Sequence, residues 1–234
     1  PDSLYTNLKK LESWVESEKN LVNKAILHSL LAREYSDYMR HNRRQLSDRT
    51  ALDVDEAPAD IREWSTNLFV AKVDEHNLAS LKDSVRLLEV SSKEYVPFVE
   101  LEDGSRFYGH DMYHLLAARA VDTYQLLDGF QVDTLQRARI NSVYINMINA
   151  YRHRVGAEDA VVLATLDYWK WKSTGGGISR EPYITYRERK ERLDKEHLEV
   201  LDNLIREYGG REICAEVYID KAGWLRGLGA SYMN

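Results

Sequence analysis

The first 44 residues limit the fold more than any other part of this chain. Residues 3–44 contain neither proline nor glycine, the two residues that most readily end a helix. Apolar side chains recur there at steps close to seven residues, interrupted by Glu18: Leu4, Leu8, Leu11, Val15, Val22 and Ala25. Two interpretations remain open. We favour one long helix that packs against a neighbouring subunit, and the alternative is two helices that fold back near residues 17–20.

Residues 69–89 predict a strand followed by a helix. A strand over residues 69–73 would place Phe69, Ala71 and Val73 on one face. Asp74 can act as the N-cap of a helix over residues 75–89. Apolar residues at steps of three and four give that helix one apolar face.

Residues 95–128 predict a β-hairpin and a second helix. A strand over residues 95–101 leads to Asp103 and Gly104, the pair that a type I′ turn needs because both central residues adopt positive φ. The chain then returns along residues 105–108. A helix follows from Gly109 to about residue 128 and is ended by Gly129.

The segment VDEHNLASLKDSVRLLE followed by YVPFVELEDGSRFYGHDMYHLLAARAVDTY resembles a small uncharacterised domain of tail and tail-fibre-assembly proteins of tailed bacteriophages. The resemblance covers residues 69–127, about a quarter of the chain. It implies a virion or virion-assembly component. It transfers no catalytic residue, because none is assigned to that domain.

The rest of the chain is predicted to be mainly helical. Helices are expected at residues 133–154, 157–172 and 187–208, because each has apolar residues at helical spacing. A glycine-rich loop at residues 173–177 lacks the Gly-Lys-Ser/Thr ending of a phosphate-binding loop. Residues 213–226 are predicted to form a C-terminal β-hairpin, and residues 227–234 a tail that orders only against a partner.

These elements predict an α+β fold that is predominantly α-helical, with a small hairpin-based sheet and a C-terminal β-hairpin. Five parts are expected: an N-terminal long helix or helix pair (1–44), a linker (45–60), a central α+β module (61–156), a helical region with the Gly-rich loop (157–208), and the C-terminal hairpin and tail (209–234).

Composition narrows the class of protein. The 234 residues allow one large or two small domains, and 44% hydrophobic residues are ample for a core. A net charge of -6 argues against a dedicated nucleic-acid binder. We expect neither a membrane span nor a signal peptide, because no long apolar run and no basic-then-apolar start is present. The single cysteine, Cys214, excludes an internal disulfide and a thiolate metal cluster.

The sharpest candidate for chemistry is the pair His110 and His114. Histidines four residues apart on a helix face the same way and can bind one metal ion. A third ligand would have to come from His153 or Glu158. The alternative interpretation is one surface and one half-buried histidine.

Other candidate sites carry less information. Asp53, Asp55 and Glu56 could ligate calcium or magnesium, but the glycine and final glutamate of an EF-hand loop are absent. No Ser-His-Asp or Cys-His arrangement is indicated by the remaining histidines: His28, His41, His76 and His197. Trp171 is a candidate interface anchor, with ordinary packing or contact with nucleic acid or sugar as the alternatives.

Together these observations predict a non-enzymatic structural or assembly component of a tailed-phage-like virion, in its tail, neck or baseplate region. Its expected partners are copies of itself and other virion proteins, in the virion or in the host cytoplasm during assembly. We predict no catalytic residue, metal or cofactor, and expect no membrane, nucleic acid or small-molecule substrate. The alternatives are a metal-dependent enzyme that uses His110 and His114, and a cytosolic helical adaptor.

Overall fold

In the computed structural model, the chain is described over residues 2–53, 57–96, 99–130, 132–173 and 183–232. These residues form α-helices joined by turns and short 3₁₀ helices, and no strand occurs among them. The α+β prediction is therefore wrong, and the described part of the chain is all-α. The helices are α1 (Asp2–Ser17), α2 (Leu21–His41), α3 (Arg43–Ser47), α4 (Thr66–Leu81), α5 (Ser84–Glu89), α6 (Met112–Gln125), α7 (Asp133–Arg152), α8 (Glu158–Ser173), α9 (Tyr183–Tyr208) and α10 (Cys214–Tyr232).

The predicted strand over residues 69–73 lies inside α4. Phe69 and Val73 are both fully buried, and their four-residue spacing places them on one helix face. Five residues of alternating pattern fit a strand and a buried helix turn equally well. Asp74, predicted as an N-cap, is consequently in mid-helix, and the predicted helix over residues 75–89 is divided between α4 and α5.

The predicted hairpin at Asp103 and Gly104 is a 3₁₀ helix, Asp103–Tyr108. Ser105 donates a hydrogen bond to the Glu102 carbonyl at 2.6 Å, so local contacts satisfy the backbone that a second strand would have paired. Gly109, with φ of 64°, ends this turn. The preceding predicted strand includes residues 97 and 98, which lie outside the described residues, and another 3₁₀ helix, Ser92–Tyr95, stands at its start.

The predicted C-terminal hairpin is the first half of α10. Ile213, Cys214 and Val217 are buried, whereas Ala215 and Glu216 are exposed. This is the three- and four-residue spacing of a helix rather than the alternation of a strand. The helix continues to Tyr232, so the predicted tail is helical up to that residue, and residues 233 and 234 lie outside the described part.

The N-terminal segment contains two helices, α1 and α2, rather than the single long helix that we favoured. Asn20 is the reason, because its side-chain oxygen accepts hydrogen bonds from the backbone N–H groups of Val22 (2.9 Å) and Asn23 (3.1 Å). Asparagine is a preferred N-cap residue, so a new helix begins here although the segment contains no proline or glycine. Tyr35 of α2 donates a hydrogen bond to Glu12 of α1, which joins the two helices side by side.

The chain divides into two compact units. Unit 1 consists of Pro1–Glu100 and Asp111–Val143. Its core is aromatic where α2 meets α4: the Tyr38 and Phe69 rings stack at 5.1 Å, and Trp64 contacts Phe69 at 5.3 Å. Helix α6 joins this core through a hydrogen bond from Arg119 to Ser29 of α2, at 2.9 Å.

Unit 2 consists of Leu101–His110 and Tyr144–Asn234. Helices α8, α9 and α10 enclose its core, whose buried members are Val162, Leu166, Leu201, Leu204, Ile213, Cys214 and Val217. The turn that precedes Gly109 also belongs to this unit, because the Tyr108 hydroxyl donates to Asp167 of α8 at 2.8 Å. Cys214, the lone cysteine, is a buried packing residue.

Candidate functional site

The structure does not place the predicted histidine pair on one helix face. Helix α6 begins at Met112, so His110 precedes it and has a left-handed backbone with φ of 53°. The Nδ1 atom of His110 lies 2.7 Å from the Ser105 hydroxyl. His114 lies in the first turn of α6, and burial lowers its pKa to about 4. The i, i+4 rule requires both residues to be helical, and here only one is.

The predicted third ligands are engaged elsewhere. The His153 ring is hydrogen-bonded to the Asn149 carbonyl at 2.7 Å, and Glu158 lies 3.6 Å from Arg211. No group of three or more His, Cys, Asp or Glu side chains is placed to hold a metal ion within the described residues. Of the predicted acidic cluster, residues 55 and 56 lie outside those residues, as do glycines 175–177 of the predicted loop.

A buried polar cluster in unit 1 centres on His76. The Nδ1 atoms of His76 and His28 are 2.8 Å apart, a distance that requires one shared proton. The ring of Tyr35 stacks on His76 with centroids 5.7 Å apart and an interplanar angle of 6°. Burial lowers the pKa of His76 to about 4, so both rings are neutral near pH 7. The cluster links α2 to α4, with His76 buried and His28 half-buried.

A second cluster in unit 1 is built on Asp74 of α4. Its carboxylate accepts a hydrogen bond from the Tyr124 hydroxyl at 2.8 Å and one from Arg139 Nη2 at 2.7 Å. Burial, followed by the carboxylate, raises the pKa of Tyr124, so its phenol remains protonated and cannot act as a base near pH 7. These contacts fasten α4 to α6 and α7.

Unit 2 contains a Ser-His-Asp constellation that the sequence did not indicate. His197 of α9 is fully buried. Its Nδ1 atom lies 3.5 Å from the Ser173 hydroxyl of α8, and its Nε2 atom lies 3.2 Å from a carboxylate oxygen of Asp220 of α10. Trp169 stacks on the imidazole at 5.5 Å, and Trp224 meets it edge-on at 4.6 Å.

The contacts of this constellation differ from those of a serine activated by a histidine. Ser173 already donates its proton to the Trp169 carbonyl at 2.6 Å, and a base that activates a serine lies within about 3.2 Å of it. The His197 and Asp220 atoms are close but not aligned as a hydrogen bond. Burial lowers the pKa of His197, with Asp220 opposing that shift. An imidazole enclosed by two indoles instead holds α8, α9 and α10 together.

Trp171 lies against its own unit. Its half-buried ring is 5.9 Å from the ring of Tyr144 and 6.1 Å from that of Tyr168. Lys172 extends over the neighbouring Trp169 at 4.1 Å, so the aromatic and cationic side chains of this tract contact one another. The tract therefore has intramolecular contacts, and the interface role of Trp171 stays a prediction.

The most prominent exposed feature of unit 2 is an apolar stripe along α10. Tyr218, Ile219 and Leu225 are 53%, 65% and 48% exposed, and Ala215 and Ala222 lie between them and are also exposed. Tyr218, Ile219, Ala222 and Leu225 follow Ala215 by three, four, seven and ten residues, which places the five side chains on one helix face. A helix with its other face in the core does not need a second apolar face for folding. We call these five residues the α10 stripe.

None of the described helices has the length and apolar character that crossing a bilayer requires. A search of family models, of curated proteins and of solved structures finds no match to this chain.

Proposed function

We propose that the protein is a non-enzymatic structural or assembly component that works through protein–protein contacts, beginning with a second copy of itself. The α10 stripe is the observation that supports this proposal. The polar clusters described above have intramolecular partners, whereas the stripe leaves large apolar side chains in water. Contiguous exposed apolar surface marks interaction sites in folded proteins.

A second copy is the partner that the stripe suits best. In an antiparallel pair of α10 helices with a two-fold axis near Ala222, Tyr218 of one copy would meet Leu225 of the other. The small side chain of Ala222 would allow close approach of the two backbones at the axis. Such self-complementarity is what a two-fold interface requires.

An assembly component also needs a second surface, and unit 1 offers one. Trp14 of α1 and Leu21 of α2 are each 54% exposed and flank the turn that Asn20 caps. Exposed tryptophan is enriched at the energetic centres of interfaces. We assign this pair to contact with other proteins, so that α10 forms pairs and the turn between α1 and α2 extends the assembly.

The tailed-phage-like particle remains our proposed setting, in the virion or in the host cytoplasm during assembly. The resemblance in the sequence is its support, and the hairpin that formed part of this resemblance is a 3₁₀ helix in the structure. A cytosolic helical adaptor would use the same two surfaces and would differ only in its partner.

The test is light scattering coupled to size-exclusion chromatography on the full chain. We expect the wild-type chain to form a dimer or a higher even-numbered oligomer, and Leu225→Glu to reduce it by a factor of two in mass. The matched control is Val85→Glu, which places the same charge at a residue of α5 that is 74% exposed and lies outside the stripe. A monomeric wild type, or equal dissociation in both variants, would refute the assignment of the stripe.

A further inference from the structure

Unit 1 contains a cavity of about 240 Å³ whose lining residues belong to neither the His76 cluster nor the Asp74 cluster. Its volume lies just below the range of about 300–1,000 Å³ that holds drug-sized ligands, so it suits a smaller molecule. The cavity is lined by Arg43, Leu46, Ser47, Arg49, Thr66, Gly129 and Phe130. Among the described residues, this lining thus contains two cations and no carboxylate.

Both guanidinium groups are held by backbone carbonyls rather than by acidic side chains. Arg43 Nη2 donates to the Gly129 carbonyl at 3.0 Å, and the guanidinium lies 5.4 Å from the centre of the Phe130 ring. Arg49 Nη1 donates to the Trp64 carbonyl at 2.6 Å. Neither arginine forms an ion pair within the described part of the chain. Each arginine therefore has a carbonyl partner, no acidic partner among the described residues, and several remaining N–H donors.

The N-terminus of α4 opens into the same cavity at Thr66. The N-cap residue, Ser65, provides no side-chain cap to this helix of 16 residues. Its hydroxyl is instead bonded to the Asn67 side chain at 2.5 Å and to the Leu52 backbone N–H at 3.1 Å. The first-turn amides of α4 and the positive end of its dipole thus add to the charge of the two arginines.

Gly129 is one of the residues that line the cavity. Its φ of +79° is in the left-handed region, and a Cβ atom at this position would collide with the Arg43 guanidinium. Only glycine combines this backbone with so close an approach. The cavity therefore depends on a residue that holds Arg43 in place and leaves room beside it.

We propose that this cavity binds the phosphate group of a small phosphorylated molecule. Arg43 and Arg49 bind the phosphate oxygens, and Thr66 with the first turn of α4 supplies further donors. A phosphate monoester carries a charge close to -2 near pH 7, which two guanidinium groups neutralise, whereas a carboxylate would leave one cation unpaired. Guanidinium pairs and helix N-termini are the groups that bind phosphate in proteins generally.

The test is calorimetric titration with phenyl phosphate, inorganic phosphate and benzoate at matched ionic strength. We expect saturable binding of both phosphates and much weaker binding of benzoate. Arg43→Gln and Arg49→Gln should each weaken phenyl phosphate binding by about tenfold or more, since a hydrogen bond to a charged group contributes about 1.5–3 kcal/mol. Arg44→Gln is the matched control, because Arg44 is exposed on the same short helix and does not line the cavity.

Two results would overturn the proposal. One is the absence of saturation by about 10 mM phenyl phosphate, where the binding free energy would be smaller than about 3 kcal/mol. The other is equal weakening by Arg44→Gln, which would show nonspecific attraction. Since Arg43 also holds the Gly129 loop, amide chemical-shift mapping of the wild-type chain provides a test without substitution: shifts must cluster at Ser47, Thr66 and Gly129.

A lipid headgroup could present the same monoester, and vesicles distinguish this source. We expect no cosedimentation of the chain with phosphatidylcholine vesicles that contain phosphatidic acid, because the cavity is sized for a small free ligand. Cosedimentation that Arg49→Gln abolishes would assign the phosphate to a membrane surface and overturn the assignment to a free molecule.

Discussion

His76 should make the stability of this protein depend on pH. The side chain is buried, with 7% of its surface exposed, and burial lowers its pKa to about 4 from an ordinary value of 6.5. In the unfolded chain the imidazole takes up a proton near pH 6.5, whereas in the folded chain it remains neutral until about pH 4. The unfolded state therefore binds more protons between these values, and the free energy of unfolding falls as the pH is lowered through this window.

The size of the effect follows from the same two pKa values. A lowering of about 2.5 units corresponds to about 3 kcal/mol when the window is fully crossed, and to about 2 kcal/mol at pH 5. His76→Phe removes this contribution and keeps an aromatic ring against Tyr35. The variant loses the hydrogen bond to His28, so we expect it to be less stable near pH 7 by about 1 kcal/mol or more. Between pH 7 and pH 5, the free energy of unfolding of His76→Phe should fall by about 2 kcal/mol less than that of the wild type.

Urea unfolding followed by tryptophan fluorescence, at several values between about pH 7 and pH 5, measures this difference. Carboxylate groups titrate in both proteins, so their contribution to the pH dependence of unfolding cancels when the two proteins are compared. His41→Gln is the control, because His41 is exposed at the end of α2 and its replacement should leave the wild-type pH dependence intact. Parallel pH profiles for the wild type and His76→Phe would refute the reasoning from burial.

Three further substitutions test other parts of the structure. Leu201→Ala, at a fully buried position in unit 2, should lower the free energy of unfolding by about 2–5 kcal/mol, and a loss below about 1 kcal/mol in chemical denaturation would contradict the core assignment. Gly129→Ala should cost about 1 kcal/mol or more and weaken phenyl phosphate binding by displacing Arg43; unchanged calorimetry would count against the cavity. Asp111→Ala should cost about 1 kcal/mol, because its carboxylate accepts the His114 N–H at 2.8 Å, while Asp111→Asn should largely retain stability in thermal unfolding.

The long helices of the second half could be predicted from the sequence. The structure has α7, α8 and α9 at Asp133–Arg152, Glu158–Ser173 and Tyr183–Tyr208, within a few residues of the predicted bounds. Periodicity over 15 or more residues samples several helical turns and therefore distinguishes a helix from a strand. At residues 69–73 and 213–219 the pattern was shorter, and burial against the helical core decided the conformation instead.

The candidate sites could not be predicted from residue spacing in the sequence. His110 and His114 had the required spacing, but the spacing has meaning only inside a helix, and α6 begins at Met112. Ser173, His197 and Asp220 lie on three different helices, so no fixed spacing relates them. The sole local hint was the aromatic tract before residue 173, which supplies one of the two indoles around His197.

The accessible side chains with unused binding capacity lie apart from the buried histidines in both units. Catalytic acids and bases need a partner within hydrogen-bond reach and access for a substrate. The buried histidines of this protein have ring partners but no access, since His76 lies beneath Tyr35 and His197 lies between two indoles. The groups with unused capacity are instead accessible: the donors of Arg43 and Arg49 in unit 1, and the α10 stripe in unit 2. A phosphate that binds both arginines in the folded chain would also stabilise unit 1, so a given concentration of phenyl phosphate should raise the urea midpoint of the wild-type chain more than that of Arg49→Gln.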